Sequence, residues 1–169
     1  LAGSSAPLVA LVGDVMLDRF HHGTAYRLSR TAPVPSLRIM KTEESPGAAA
    51  HIATSLVSLG SEVRFFTAVG SDREGESVLN SLTKSEVDTS AIATVPEWQT
   101  LTKIRFFGSR EGLVDHTQML LQADRGGGPL DRAVSEDLID SAMSSLNVAR
   151  ALVISDYDHG VVTDEAIQR

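Results

Sequence analysis

The stretch that decides the fold is PLVALVGDVMLDRF, residues 7–20. Its first half, 7–13, is a continuous apolar run that ends in glycine, which is typical of a strand buried on both faces of a parallel sheet. Two carboxylates, Asp14 and Asp18, follow at the carboxyl end of that strand. Because ligands of open α/β sheets bind beyond the carboxyl ends of the strands, both are candidate binding groups. Aspartate is also common in turns, and the spacing alone leaves both interpretations open.

Strands and helices alternate through the rest of the chain. Apolar runs predict further buried strands at 62–70 and 150–160. Apolar residues at three- and four-residue spacing predict helices at 47–60, 73–87 and 135–146. Ser135 is the expected N-cap of the last of these, and another helix is expected to begin at Thr163. This alternation indicates an α/β fold in which helices flank a parallel sheet.

Two regions do not fit a simple alternating sheet. Residues 32–40 open with prolines and then alternate apolar and polar side chains, which is typical of an edge strand. Residues 100–110 and 117–125 have the pattern of two strands joined by the turn-rich segment EGLVDH, and they predict a hairpin. We therefore expect a small β-structure, formed near 32–40 and 100–125, beside the parallel sheet.

Composition limits the classes of partner. The 169 residues include 15 Lys and Arg against 22 Asp and Glu, a formal net charge of −7. This acidic balance argues against nucleic-acid and anionic-membrane binding, and no apolar run approaches the ~20 residues that cross a bilayer. The chain has no cysteine, which excludes disulfides and thiolate chemistry and is compatible with a cytoplasmic location. The five histidines have no metal-ligand spacing, so we predict no metal site among these residues.

Two more groups of residues are candidates for binding. In SPGAAAH, 45–51, Gly47 allows the backbone to approach a ligand, and the helix that begins there has a positive partial charge at its N-terminus. Lys103 and Arg105 are two residues apart on a predicted strand, so they share a face and suit a phosphate. For residues 45–51 the alternative is an ordinary turn that leads into a helix packed through its alanines. For Lys103 and Arg105 the alternative is a strand face that is exposed to solvent. Neither GxGxxG nor GxxxxGK[ST] occurs in the sequence.

Several of these segments resemble, in order and spacing, the ribokinase (PfkB) family of sugar kinases. The segments are VALVGDVMLDRFHHG, RLSRTAPVPSLRI, EESPGAAAHIATSLVSLG, RFFTAVGSDREG, TLTKIRF and ALVISDYDHG. Within that family they are most similar to the kinase domains that act on heptose 7-phosphate. The resemblance implies ATP-dependent phosphorylation of a sugar or sugar-phosphate hydroxyl with a divalent cation, usually Mg²⁺. It also implies a large α/β domain with a small β-sheet lid over the sugar, and it leaves open a homodimer formed through that lid.

The resemblance assigns expected roles to individual positions. Asp18 matches an aspartate that binds the sugar, and the resemblance implies that Asp14 lies near the sugar as well. Gly47 and Ala48 match a di-glycine hinge, and His51 matches an asparagine that contacts the sugar in many members. The other positions that match substrate-facing residues of the subgroup are Lys103, Arg105, Asp156 and Tyr157. Two departures stand out, because Ala48 replaces the second glycine and His51 replaces the asparagine.

The catalytic base of the family lies in a Gly-Ala-Gly-Asp motif that does not occur in these residues. The chain also begins without methionine and stops at Arg169 inside a predicted helix. We therefore expect residues 1–169 to form the N-terminal portion of a ribokinase-like domain, an incomplete fold without activity of its own. Two functional hypotheses follow. The first is an ATP-dependent sugar kinase when full length, with this chain supplying the sugar-binding side and the lid, and the second is a diverged non-catalytic sugar-binding or assembly module.

Overall fold

The computed structural model describes residues 6–109 and 117–163. Its strands are β1 (Leu8–Gly13), β2 (Val15–Leu28), β3 (Pro35–Ala48), β4 (Glu62–Gly70), β5 (Ile92–Val95), β6 (Thr102–Ser109), β7 (Gln118–Arg125) and β8 (Ala151–Ser155). Its helices are α1 (Ala49–Ser58), α2 (Arg73–Lys84) and α3 (Arg132–Ser145). The strands form two four-stranded sheets, which we call the first sheet, ordered β5-β4-β1-β8, and the second sheet, ordered β3-β2-β6-β7.

The first sheet is parallel throughout and is covered on both faces. Leu11 and Phe65 face a core formed with α1 and α2, whereas the neighbouring Val12 and Phe66 face a second core formed with α3. Alternating side chains therefore enter two different apolar layers, which explains why β1 and β4 are continuous apolar runs. The predicted α/β fold with a parallel sheet and flanking helices is confirmed.

The second sheet is mixed and more exposed. Strand β2 pairs antiparallel with β3 and parallel with β6, and β6 pairs antiparallel with β7. Its strands contain half of the large apolar side chains that are exposed in the described residues, among them Ile39, Met40 and Leu121. Strand β3 is an edge strand, and β6 and β7 form the predicted hairpin. The chain passes between the two sheets at residue 14, between Ala48 and Ala49, between β5 and β6, and between β7 and α3.

Some local predictions are wrong. Helix α3 begins at Arg132 with Asp131 as its N-cap, whose side chain accepts a hydrogen bond from the Ala133 N–H at 2.8 Å. Ser135 is instead buried within the helix and donates its hydroxyl to the carbonyl of Val161 at 2.8 Å. Strands β2 and β5 were not predicted.

Two sequence predictions fall outside the described residues: the EGLVDH turn and the helix beyond Thr163. No helix in the described ranges combines the length and the apolar character that a membrane crossing requires.

Candidate functional site

Asp14 joins the ends of two strands of the first sheet. Its side chain is almost completely buried, at 1% exposure. One carboxylate oxygen accepts the N–H groups of Tyr157 at 2.8 Å and His159 at 3.2 Å, and the other accepts that of Val161 at 3.0 Å. The Asp14 carbonyl also accepts the first N–H of α1, from Ala49, at 3.0 Å. The carboxylate therefore holds the loop after β8 in place, as a buried charge with several donors can.

Asp18 and Arg105 form an ion pair across the second sheet. A guanidinium nitrogen of Arg105 lies 2.5 Å from Asp18 Oδ1, and both side chains are mostly shielded, with 24% and 18% exposure. The parallel register of β2 and β6 places Asp18 opposite Lys103, with Arg105 on the same face two residues further along. The guanidinium also lies 5.4 Å from the ring centroid of Phe20. A charge-assisted bond with this shielding fixes both side chains in one arrangement.

Gly47 is required by the position of Asp18. A β-carbon on residue 47 would overlap Asp18 Oδ2 and would lie 3.0 Å from Met16 Cγ. The backbone of β3 therefore passes directly against the Asp18 carboxylate, which is an approach that only glycine permits.

Ala48 has an unusual backbone conformation at the passage from β3 to α1. Its φ of 54° and ψ of −129° lie in a region that glycine adopts readily and other residues seldom adopt. Ala48 is the N-cap of α1, and its side chain makes no capping hydrogen bond. Such a backbone conformation costs on the order of 1–3 kcal/mol. The replacement of the second family glycine thus falls at a position where the backbone favours glycine.

The remaining predicted site residues form no hydrogen bond or ion pair with Asp18 or Arg105 within the described part of the chain. His51 is exposed in the first turn of α1, and no hydrogen bond or ion pair within the described residues links its side chain to Asp14 or Asp18. Lys103 is half-buried in β6. Asp156 and Tyr157 are exposed in the loop that Asp14 holds.

Sequence reasoning missed a polar network that contacts the first turn of α2. Arg19 Nε lies 2.7 Å from Glu44 Oε1, and Arg19 Nη2 lies 3.0 Å from Glu74 Oε1. Asp72, the N-cap of α2, accepts the N–H of Gly75 at 2.7 Å and both the N–H and the hydroxyl of Thr100, at 2.9 and 2.8 Å. The Asp72 cap had a signal, because an aspartate immediately before an amphipathic helix predicts an N-cap.

Two carboxylates of this network have lowered pKa values. Burial raises the pKa of Glu44, but the hydrogen bond and positive charge of Arg19 outweigh it and hold the value below the ordinary 4.5. Burial likewise raises the pKa of Asp72, whereas its hydrogen bonds from Gly75 and Thr100 hold the value below the ordinary 3.8. Both groups are therefore stabilised in their charged form.

The described residues contain no cluster of side chains that by itself defines a metal site. Among them, no group of three or more His, Asp or Glu side chains is arranged to hold a metal ion. No residue described above is assigned to the metal or to the nucleotide.

Comparison with known sequences gives a family and several relatives. The family described as "pfkB family carbohydrate kinase" matches residues 6–114. The chain is 36% identical over 158 residues to Bifunctional protein HldE of Psychromonas ingrahamii, an alignment that covers 92% of this chain and 31% of the relative. It is 34% identical over 154 residues to Bifunctional protein HldE of Aliivibrio fischeri strain MJ11, covering 91% and 30%. The chain thus spans less than a third of the length of these relatives.

Solved structures share the fold. Phosphofructokinase-2 from Escherichia coli in complex with fructose-6-phosphate matches with a TM-score of 0.66 and 19% identity, over 96% of this chain and 49% of that one. Arabidopsis thaliana ribokinase complexed with ribose and ATP matches with a TM-score of 0.60 and 12% identity, over 88% and 45%. At these identities the likeness concerns the fold alone.

Proposed function

The chain belongs to the pfkB family of carbohydrate kinases, and from this we propose that it supplies the sugar-binding side of an ATP-dependent kinase acting on a sugar phosphate. The observation that carries the proposal is the Asp18–Arg105 ion pair, which is largely shielded from solvent. The backbone of Gly47 lies directly beside the Asp18 carboxylate. In this proposal Asp18 accepts hydrogen bonds from sugar hydroxyls, and Arg105 holds the carboxylate in a fixed orientation.

The phosphate of the substrate is assigned to the cationic face of β6. Lys103 and Arg105 project from the same face of that strand, and Lys103 lies opposite Asp18 in the register. Arginine presents a planar set of donors to phosphate oxygens, and lysine adds a compact positive charge. A heptose phosphate is the proposed substrate, because the motifs of this chain are most similar to heptose 7-phosphate kinase domains.

The other predicted residues take supporting roles in the proposal. Asp14 acts through the loop after β8, placing Asp156 and Tyr157 at the carboxyl end of the first sheet, where ligands of such sheets bind. The second sheet acts as a lid over the sugar, and Ala48 and His51 lie at its junction with α1. ATP and Mg²⁺, when bound, would supply the phosphoryl group and neutralise its charge; no residue of this chain is assigned to hold them, and no catalytic base is assigned within it.

A second candidate is a sugar-binding module that does not transfer phosphate. The backbone of Ala48 favours it, because alanine in a glycine-type conformation restricts the change of φ and ψ that lid closure requires. The two candidates differ in one measurable property: both bind sugar, but only the first transfers phosphate.

We also propose a homodimer through the second sheet. Its apolar side chains form a groove of about 360 Å³, lined by Val34, Pro35, Leu37, Phe106, Leu120 and Leu121. Burial of this surface against a second copy would remove apolar area from water. Analytical ultracentrifugation of the complete gene product is expected to show a dimer that Leu121→Asp converts to a monomer. A native monomer would contradict the proposal.

The proposed function is tested on the complete gene product that contains this chain. ATP consumption is measured with a panel of sugars and their phosphates, together with sugar binding by calorimetry. We expect ADP release that depends on one class of phosphorylated sugar. Sugar binding without ADP release would favour the non-catalytic module, and neither binding nor turnover would reject both.

A further inference from the structure

The second sheet is attached to the first turn of α2, a helix that otherwise packs on the first sheet. Val78 and Leu82 of α2 are buried in the same core as Leu11 of β1. At the other end of α2, Asp72 binds Thr100, which lies two residues before β6. Glu74 in the same turn contacts the second sheet through a separate set of charged side chains.

Arg19 is the centre of that charged set. It lies directly opposite Glu44 in the pairing of β2 with β3, and its guanidinium binds both Glu44 and Glu74. The side chains of Arg19 and Glu74 are 15% and 10% exposed. Ser77 of α2 donates to the second oxygen of Glu44 at 3.1 Å, and Arg125 at the end of β7 lies 3.6 Å from Glu74. Strands β2, β3 and β7 thus meet one turn of one helix.

Removal of Arg19 would leave carboxylates facing one another with little water. Shielded ion pairs are costly to break from one side, because the remaining charge keeps its desolvation penalty. Within the described ranges, the most shielded of these carboxylates, Glu74, would retain only the more distant Arg125 as an ion-pair partner. Loss of the arginine is therefore expected to separate β2 from α2.

Arg19 and Asp18 are consecutive residues of β2 and point to opposite faces of the second sheet. Asp18 contacts Arg105 on one face, while Arg19 contacts α2 on the other. A shift of β2 away from α2 would therefore move Asp18 relative to the carboxyl ends of the first sheet.

We propose that Arg19 and Glu74 are a positioning pair: they fix the second sheet on α2 and so hold Asp18 and Arg105 at the distance from the first sheet that sugar binding requires. The sugar-binding part of this inference rests on the proposed function. The attachment of the sheet rests on the contacts alone.

The attachment is tested by hydrogen exchange of the complete gene product carrying Arg19→Met. The control is Arg64→Met, which removes a different arginine–carboxylate pair, that of Arg64 with Asp88 at 3.0 Å. Both of those residues belong to the first sheet and its connections. We expect amides of β2 and β3 to exchange about tenfold faster in Arg19→Met, with β1 and β4 unchanged. Equal exchange of β2 and β3 in the two variants would overturn the attachment.

Ser77→Ala provides a milder variant if Arg19→Met does not fold. It removes only the hydroxyl that binds Glu44, and the expected result is a smaller acceleration confined to the same strands. Exchange unchanged from the native protein would count against the attachment.

The positioning role is tested by steady-state kinetics of the same variants. Arg19→Met is expected to raise KM for the sugar about tenfold while KM for ATP changes less than about twofold, and Arg64→Met is expected to change neither. Adding Glu74→Gln to Arg19→Met is expected to restore part of the sugar affinity, because the unpaired carboxylate is then neutralised. Faster exchange of the second sheet with an unchanged sugar KM would overturn the positioning role. If the native protein phosphorylates no sugar, the proposed function is wrong, and the exchange comparison still upholds or overturns the attachment.

Discussion

Oδ2 of Asp18 occupies the space that a β-carbon on Gly47 would need. The two residues lie on adjacent antiparallel strands, β2 and β3, and the glycine allows the carboxylate to stay beside Arg105. This contact links the Pro46-Gly47 pair near the end of β3 with Asp18 of β2, which lie far apart in the sequence.

Gly47→Ala is predicted to displace the Asp18 carboxylate from its pairing with Arg105. We expect kcat/KM for the sugar to fall about tenfold or more, equivalent to about 1.4 kcal/mol, with a much smaller change for ATP. Steady-state kinetics with each substrate varied provide the measurement. Arg38→Ala serves as the control, because Arg38 is exposed on the same strand and lies opposite Thr24, away from Asp18. Full sugar activity in Gly47→Ala would show that the contact has no functional role.

Ala48→Gly is predicted to stabilise the protein by about 1 kcal/mol, because glycine adopts the φ of 54° without strain. The control is Ala50→Gly, which places glycine inside α1 and is expected to destabilise by about 1 kcal/mol. Urea unfolding of both variants decides the matter. A loss of stability in Ala48→Gly would mean that the backbone there is not strained.

The departures at positions 48 and 51 are predicted to be adaptations to the protein's own substrate. The double variant Ala48→Gly with His51→Asn is therefore expected to leave ATP turnover on that substrate unimproved. Turnover is measured over a panel of free and phosphorylated sugars. A gain of about tenfold, or about 1.4 kcal/mol in the barrier, would instead indicate a decayed kinase.

Stability is predicted to fall in acid through Asp72 and Glu44. Both have folded-state pKa values below their ordinary 3.8 and 4.5, so the folded state binds fewer protons than the unfolded chain. Their contribution is therefore present above those ordinary values and is lost as pH falls through the folded values. Urea unfolding between about pH 7 and pH 3 is expected to show a shallower pH dependence in Asp72→Asn than in the native protein. Glu62→Gln, at an exposed strand end, is the control. If the free energy of unfolding of Asp72→Asn depended on pH as steeply as that of the native protein, the role given to Asp72 would be contradicted.

The first sheet could be predicted from the sequence because its strands are buried on both faces and read as apolar runs. Strand β2 could not, since polar and apolar residues alternate on both of its faces: Asp18 and Phe20 share one face, and Leu17 and Arg19 share the other. The short β5 gives too little pattern to recognise.

The site could be predicted only as separate residues. Asp18 and Arg105 were each candidates, but their contact spans 87 positions and depends on the parallel register of β2 with β6. The role of Arg19 could not be predicted, because strand β2 was not predicted and the two carboxylate partners of Arg19 lie 25 and 55 residues away in the sequence. Ser135 was mistaken for a helix cap because the group that accepts a hydrogen bond from its hydroxyl, the carbonyl of Val161, lies in a distant loop.

The central claim is that Asp18 binds the hydroxyl groups of the sugar. The most direct test of this claim is Asp18→Asn in the complete gene product. The substitution replaces a charged acceptor of sugar hydroxyls, and of Arg105, by a neutral amide. Loss of a charge-assisted hydrogen bond costs about 1.5–3 kcal/mol, so kcat/KM for the sugar should fall at least about tenfold while KM for ATP stays nearly constant. An equal loss for both substrates, or no loss for either, would contradict the assignment of Asp18 to the sugar.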